Sequence, residues 1–486
     1  MGSKMTMFFR VKTIWIAMVA IHGFSSGEGS FAQEGSTASP KEAWKAGVAA
    51  VEITPEGPMW MSGYGGRTKP ATKTESPLRA VALALEDPGG KRAVMVGLDL
   101  VGIDRATSVA ICEAVMKQHG LAREQIVLNC SHTHCGPAVG RNLRGLLFLE
   151  DSDWKRIDDY TLKLRTRVVA VVGEAIGKLA PASLEWGEGS SDIAVNRRSN
   201  RHDEVVSLRA AGQLKGPSDH SLPVLRVADP GGDLRMIVFG YACHPTKLSG
   251  TFDRWCGDYA GFAQAEIEKA HPGALALFWQ GCGGDQTPWP RGGDDVEEAR
   301  KVGRELAEAV EERLRQPMKA IKGEFEAAYV ELDLQLGPLP QRAELETALS
   351  GKNAFQARLA RVVLERLDGG EGIRKAYPGY PVQIWRFGSD LQWIFLGGEV
   401  VVDYAMRFKD EFGPANTWIA GYSNDVMAYI PSERVLAEGG YEGGTSMVYY
   451  DLPTAWAPGI EEAIARAVGA QLGEIVSGDE AKGALK

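Results

Sequence analysis

Short apolar runs alternate with longer amphipathic stretches along most of the chain. The runs at 46–53, 79–86, 93–99, 126–130, 222–228, 235–242, 274–279, 382–387 and 392–397 are rich in Val, Ile, Leu and Trp. Gly, Pro or Asp often bounds them, and the pattern predicts strands. Apolar residues recur at helical spacing over 104–119, 156–178, 258–270, 295–315, 340–367, 399–411 and 455–476, which predicts helices. Pro40, Gly189–Ser190 and Gly369–Gly370 read as punctuation. No internal repeat is evident. The alternation predicts an α/β fold of mixed β-sheets covered by helices. One large unit over 45–477 is expected, with 478–486 as a tail.

The N-terminus breaks this pattern. Lys4, Arg10 and Lys12 precede an apolar run from Ile14 to Ile21, and Ser30-Phe31-Ala32 follows as a small-x-small site. That layout predicts a secretory signal over 1–32 and an exported protein, secreted or periplasmic; an uncleaved anchor or a tail is the plainer alternative. Residues 33–44 read as a flexible leader. With 486 residues, 44% hydrophobic and 24% charged, the chain can build a sizeable core. Its formal net charge is -9; residues 1–32 carry Lys4, Arg10, Lys12 and Glu28, a net +2, so the remainder is more acidic still. That balance argues against nucleic acid as a partner. Peripheral contact is the most that is expected with membranes. The six cysteines form no C-x-x-C pair, so they read as buried thiols, with one disulfide left open and no role in metal binding.

Candidate chemistry collects where predicted strands end. His132 and His134 stand in SHTHCGP, directly after IVLNC (126–130). On an extended backbone two such imidazoles point the same way, which suits nitrogen ligation of zinc; a hydrogen-bonded structural pair is the alternative. His244 follows another apolar run, MIVFGYAC (236–243); by itself it reads more readily as structural, and the repeated strand-to-loop placement is what makes it a candidate. Glu399 follows WIFLGG (393–398) and opens a predicted helix, where a first-turn glutamate favoured by the helix dipole competes with a hard metal ligand. GCGGDQTP (281–288) permits close backbone approach to a ligand, or is a tight loop; it lacks the Gly-Lys-Ser/Thr of a phosphate loop.

In order, these segments resemble the catalytic domain of the neutral/alkaline ceramidases. The resemblance runs from GVAAVEITPEGPMWMSGYG (47–65) through SHTHCGP, CHPT (243–246), GCGGDQTP, GGEVV (397–401) and NDVMAYI (424–430) to YEGGTS (441–446). It implies a Zn2+ ion held by His132, His244, Glu399 and Tyr429, with His134 facing the scissile carbonyl. It implies substrate contact by Arg197, or by Arg198 if the register slips. Thr287 stands where the family has a serine proposed as nucleophile. Met59, Trp60, Met61 and Tyr64 resemble a segment near the family's active site, so they are candidates for an acyl pocket or for ordinary core. The implied activity is zinc-dependent hydrolysis of a linear amide, in ceramide or a related N-acyl lipid, by a zinc-activated water. The same scaffold acting on another amide or an ester is the alternative, and a non-catalytic exported binding protein a third. Departures are Thr287 for Ser, Cys135 for Ser, and PSERVL (431–436) in place of the family's Thr-Thr-Tyr-Glu-Glu-Tyr. The sequence ends roughly forty residues after YEGGTS, where typical members continue into a C-terminal β-sandwich. The expectation is a single large catalytic domain without that sandwich, less able to handle membrane-embedded ceramide.

Overall fold

Three mixed sheets, each holding one strand–helix–strand crossover, organise the protein. A computed structural model describes residues 43–289 and 292–483. The predicted signal at 1–32, most of the 33–44 leader and the last three residues of the tail lie outside the described residues. The first sheet runs in the order Ile126–Cys130, Arg92–Leu98, Arg79–Glu86, Lys45–Glu52, Ala180–Pro181. The second runs Leu275–Gln280, Leu234–Tyr241, Ser221–Ala228, Ser183–Ser190, Lys319–Ala320. The third runs Phe325–Gln335, Ala376–Phe387, Leu391–Leu396, Thr417–Ala420.

Each sheet contains a single parallel pair, and that pair lies at an edge. Arg92–Leu98 pairs with Ile126–Cys130, Leu234–Tyr241 with Leu275–Gln280, and Leu391–Leu396 with Thr417–Ala420. A parallel pair cannot be joined by a tight hairpin, so a helix crosses between its strands. These helices are Arg105–His119, Asp258–Ala270 and Asp403–Phe412. Ligands of open α/β sheets sit outside the carboxyl ends of such strands. All the sequence motifs singled out above from SHTHCGP to NDVMAYI leave the protein's parallel strands at those ends.

One buried side chain ties the three ends together. Asn129 Nδ2 donates to Gly421 O at 2.8 Å and Ser423 Oγ at 3.0 Å, beyond the third sheet. Its Oδ1 accepts from the Gln280 amide of the second sheet at 2.9 Å. Behind the ends lies an aromatic core in which Trp279, Trp393 and Trp418 meet with ring centroids 5.1 and 5.2 Å apart. Tilted and edge-to-face packing of this kind suits the ring quadrupoles. Gly240 makes room for it, since a Cβ there would fall 2.0 Å from the Trp279 ring.

The predicted strands are present with small shifts of their ends, except that the one expected over 382–387 runs from Ala376 to Phe387. The helices differ more. The single helix expected over 340–367 is two, Arg342–Leu349 and Ala354–Asp368, because Asn353 accepts from the amides of Phe355 and Gln356 and restarts the chain as a new N-cap. The helix expected from 399 begins at Asp403; Glu399–Val400 pairs instead with Tyr429–Ile430. The last helix is Ile460–Gly483, so it runs past the boundary set at 477. Ser183–Ser190 and Phe325–Gln335 were not expected as strands, since glycines and charges interrupt their alternation. Trp44, assigned to the leader, is buried against Phe387 with ring centroids 5.6 Å apart. All six cysteines are buried free thiols. No helix among the described residues is long and apolar enough to cross a membrane.

Candidate metal centre

The two histidines of SHTHCGP converge by a route other than strand alternation. His132 adopts the left-handed backbone conformation, with φ 66°. Its amide is held by Leu100 O at 2.9 Å and the Ser131 amide by Leu98 O at 2.8 Å. This kink, uncommon for a residue with a side chain, turns the His132 ring to stand at 82° to that of His134, with Nε2 atoms 3.1 Å apart.

His244 and Glu399 complete the cluster. His132 Nε2 lies 3.2 Å and His244 Nε2 3.1 Å from the same carboxylate oxygen, Glu399 Oε2. Tyr429, paired beside Glu399, brings its hydroxyl to 3.3 Å from His244 Nε2. Each outer ring nitrogen faces a carbonyl: His132 Nδ1 is 2.5 Å from Val101 O and His244 Nδ1 2.6 Å from Gly283 O. A carbonyl only accepts, so both Nδ1 atoms carry the proton and both Nε2 lone pairs point inward. The glycine loop after Leu275–Gln280 therefore orients a ligand through its backbone. Such outer hydrogen bonds are the usual support of metal-bound imidazoles.

The donor chemistry fits a cation. Two Nε2 lone pairs and a carboxylate oxygen crowd together, and acceptors at such distances repel unless positive charge lies among them. Burial, helped by the charge on Arg197, holds His244 at a pKa of about 4, so it is neutral near pH 7. Ring nitrogens of His132, His134 and His244 all fall within 4.8 Å of one another, a buried group able to hold a metal ion. His134 differs from the other two. It lines a cavity of about 580 Å³ together with Gly63, Tyr64, Arg197, Tyr429 and Tyr441. Its Nδ1 has no hydrogen-bond partner among the described residues. Burial, reinforced by His132 and His244, keeps its pKa well below the ordinary value. Gly63, at φ 93°, lies against it so closely that a Cβ would fall 2.5 Å from His134 Cγ.

The fold of the chain matches solved ceramidases. A neutral ceramidase from Pseudomonas aeruginosa superposes with TM-score 0.66 at 20% identity, over 87% of this chain and 73% of that one. A ceramidase complexed with C2 gives TM-score 0.64 at 19% identity, over 87% and 74%. The family described as neutral/alkaline non-lysosomal ceramidase, N-terminal, matches residues 44–304, more than half of the chain. The chain belongs to this family. Among curated ceramidases, neutral ceramidase B of Dictyostelium discoideum is 26% identical over 226 residues, 44% of this chain and 31% of that protein. Neutral ceramidase 2 of Arabidopsis thaliana is 29% identical over 234 residues, 46% of this chain and 30% of that protein. The aligned part of this chain thus spans about a third of the length of these relatives.

Within this ceramidase framework the remaining candidates separate. Arg197 donates to Tyr429 OH at 3.1 Å, to Gly284 O at 2.7 Å and to Glu442 at 2.7 Å. Arg198 pairs with Glu438 and Glu442 and lines the same cavity, so both arginines face it, but only Arg197 bonds the Tyr429 hydroxyl. Thr287 lies on the short strand Gln286–Pro288, opposite Val195; its buried hydroxyl has no hydrogen-bond partner among the described residues. Of the four residues predicted for an acyl pocket only Tyr64 lines the cavity, its ring 4.7 Å from that of His134. Met59 and Met61 are core, sealed by bridges to Ala71 and Pro137.

Four contributors were not singled out by sequence. Tyr450 hydrogen-bonds Glu399 Oε1. Tyr422, at φ 51°, lays its ring 4.4 Å from His132. Arg67 donates to His134 O at 2.8 Å. Glu442 pairs with both arginines. Glu442 stood inside a quoted motif, YEGGTS; the others carry no local pattern that marks them.

Proposed function

We propose that the protein is a zinc-dependent hydrolase that cleaves the amide bond of ceramide or a related N-acyl lipid, and that it acts after export. The observation that carries this reading is the convergence of His132 Nε2, His244 Nε2 and Glu399 Oε2 on one point beside a cavity, within the ceramidase fold. In this reading His132, His244, Glu399 and Tyr429 hold the ion, and His134, on the cavity wall, meets the substrate. A bound Zn2+ supplies a water whose pKa falls to about 7 and polarises a carbonyl oxygen.

The chain's own groups do the rest. His134 lines the cavity beside the cluster, where it is the group offered to return a proton to the leaving amine. Arg197 fixes the Tyr429 hydroxyl between itself and the cluster. Tyr64 and Tyr441 give the cavity apolar faces for the arms flanking the amide.

Metal analysis should find about one zinc per chain. Release of sphingosine from a short-chain N-acyl sphingosine should stop on chelation and return with added Zn2+. Turnover that survives complete removal of the metal overturns the proposal. Activity confined to an unrelated ester keeps the metal centre and overturns the substrate.

Thr287→Ala should retain activity within about tenfold of wild type. A covalent route needs a hydroxyl activated by an adjacent base, and the Thr287 hydroxyl contacts none among the described residues. Mass spectrometry that traps an acyl group on Thr287 would reverse this.

A further inference from the structure

We propose that Tyr450 is a positioning residue that reserves one oxygen of Glu399 for the metal and withholds the other. The inference rests on the metal-centre reading above. A carboxylate binds a metal through one oxygen or through both, and its partners decide which. Glu399 Oε2 is the oxygen shared with His132 and His244, at 3.2 and 3.1 Å. Glu399 Oε1 takes the hydroxyl of Tyr450. A phenol O–H donating into Oε1 engages a lone pair there and fixes the rotation of the carboxyl plane. Glu399 then presents a single oxygen to the ion.

The tyrosine is held well enough for this task. It ends the 3-10 segment Thr445–Tyr450, and Asp451 follows in the left-handed conformation at φ 57°. Arg358, from the helix Ala354–Asp368, pairs with Asp451 and anchors that turn. The Tyr450 ring packs against two of the hydrophobic clusters, one under the first sheet and one under the third. At Gly145 a Cβ would fall 2.3 Å from Val448 O, so the neighbouring loop presses directly on this segment. The residues that line the cavity do not include Tyr450, whose hydroxyl is turned to Glu399.

The test compares wild type, Tyr450→Phe and, as a control, Tyr449→Phe, which removes only the neighbouring hydroxyl. Zinc affinity is read by chelator competition, and the Co2+-loaded proteins by visible absorption. Tyr450→Phe should bind zinc about 10–100-fold more weakly, the usual effect of losing a partner to a metal ligand. Its Co2+ spectrum should weaken as the freed carboxylate oxygen adds one more ligand, while Tyr449→Phe matches wild type in both. If Tyr450→Phe does not fold, Asp451→Asn, which loosens the anchor alone, should shift both readouts in the same direction by a smaller factor. Unchanged affinity and spectrum in the folded variant overturn the positioning role alone. A wild-type protein that binds neither metal overturns the metal-centre reading and this role with it.

Discussion

His132→Ala and His244→Ala should each abolish zinc binding, whereas His134→Ala should keep zinc and lose turnover. The first two imidazoles are sealed, with Nδ1 committed to Val101 O and Gly283 O and Nε2 committed to the cluster. Neither has a second task. Removing one leaves Glu399 a buried carboxylate short of one of its three side-chain partners. His134 lines the cavity and is not needed to close the cluster, so its loss removes proton transfer in the proposed reaction, an effect of about 10²–10⁴-fold on kcat. Zinc in excess stabilises a protein that binds it, by about 4 kcal/mol at a thousandfold over Kd. Added zinc should therefore raise the melting temperature of wild type and His134→Ala, but not of His132→Ala or His244→Ala. Equal metal loss in all three would place His134 among the ligands.

Arg197→Ala should damage both stability and the site. The guanidinium is nearly buried beside a nearly buried carboxylate, with side chains 15% and 5% exposed for Arg197 and Glu442. Burial would lower the Arg197 pKa, but Tyr429 and Glu442 outweigh it, so the group remains charged. Breaking a buried pair by removing one partner costs about 3–5 kcal/mol. Glu442 keeps Arg198, so the low end is expected. The variant also strips the Tyr429 hydroxyl of its donor and should weaken zinc binding. Urea unfolding and chelator competition read the two effects separately. Arg197→Ala combined with Glu442→Gln should recover stability without recovering zinc affinity. Recovery of both would mean that Arg197 serves the pair only.

Much of the fold was legible because its strands are buried. Runs such as RAVALALE (79–86) and LALFWQ (275–280) are almost wholly inaccessible, and continuous apolar sequence records that directly. Phe325–Gln335 was missed because it lies at the edge of its sheet and mixes exposed with half-buried positions. The break at Asn353 was missed because apolar spacing continues across it. For the site, the motifs marked His132, His134, His244 and Glu399 as strand-end residues of metal-binding type.

By itself, then, the sequence determined the α/β class, the strand ends that bear the chemistry and the residues offered there. Those properties depend on side chains near in the chain, where burial and spacing leave a periodic trace. Only the tertiary structure decided how the ends meet. The left-handed turn at His132, the Asn129 link between three sheets and the pairing of Glu399 beside Tyr429 each depend on residues far apart in sequence. So does the bond of Tyr450 to Glu399, and so does that of Arg197 to Tyr429. Contacts across such separations follow from how sheets pack and which polar groups must be satisfied inside, and neither leaves a local pattern to read.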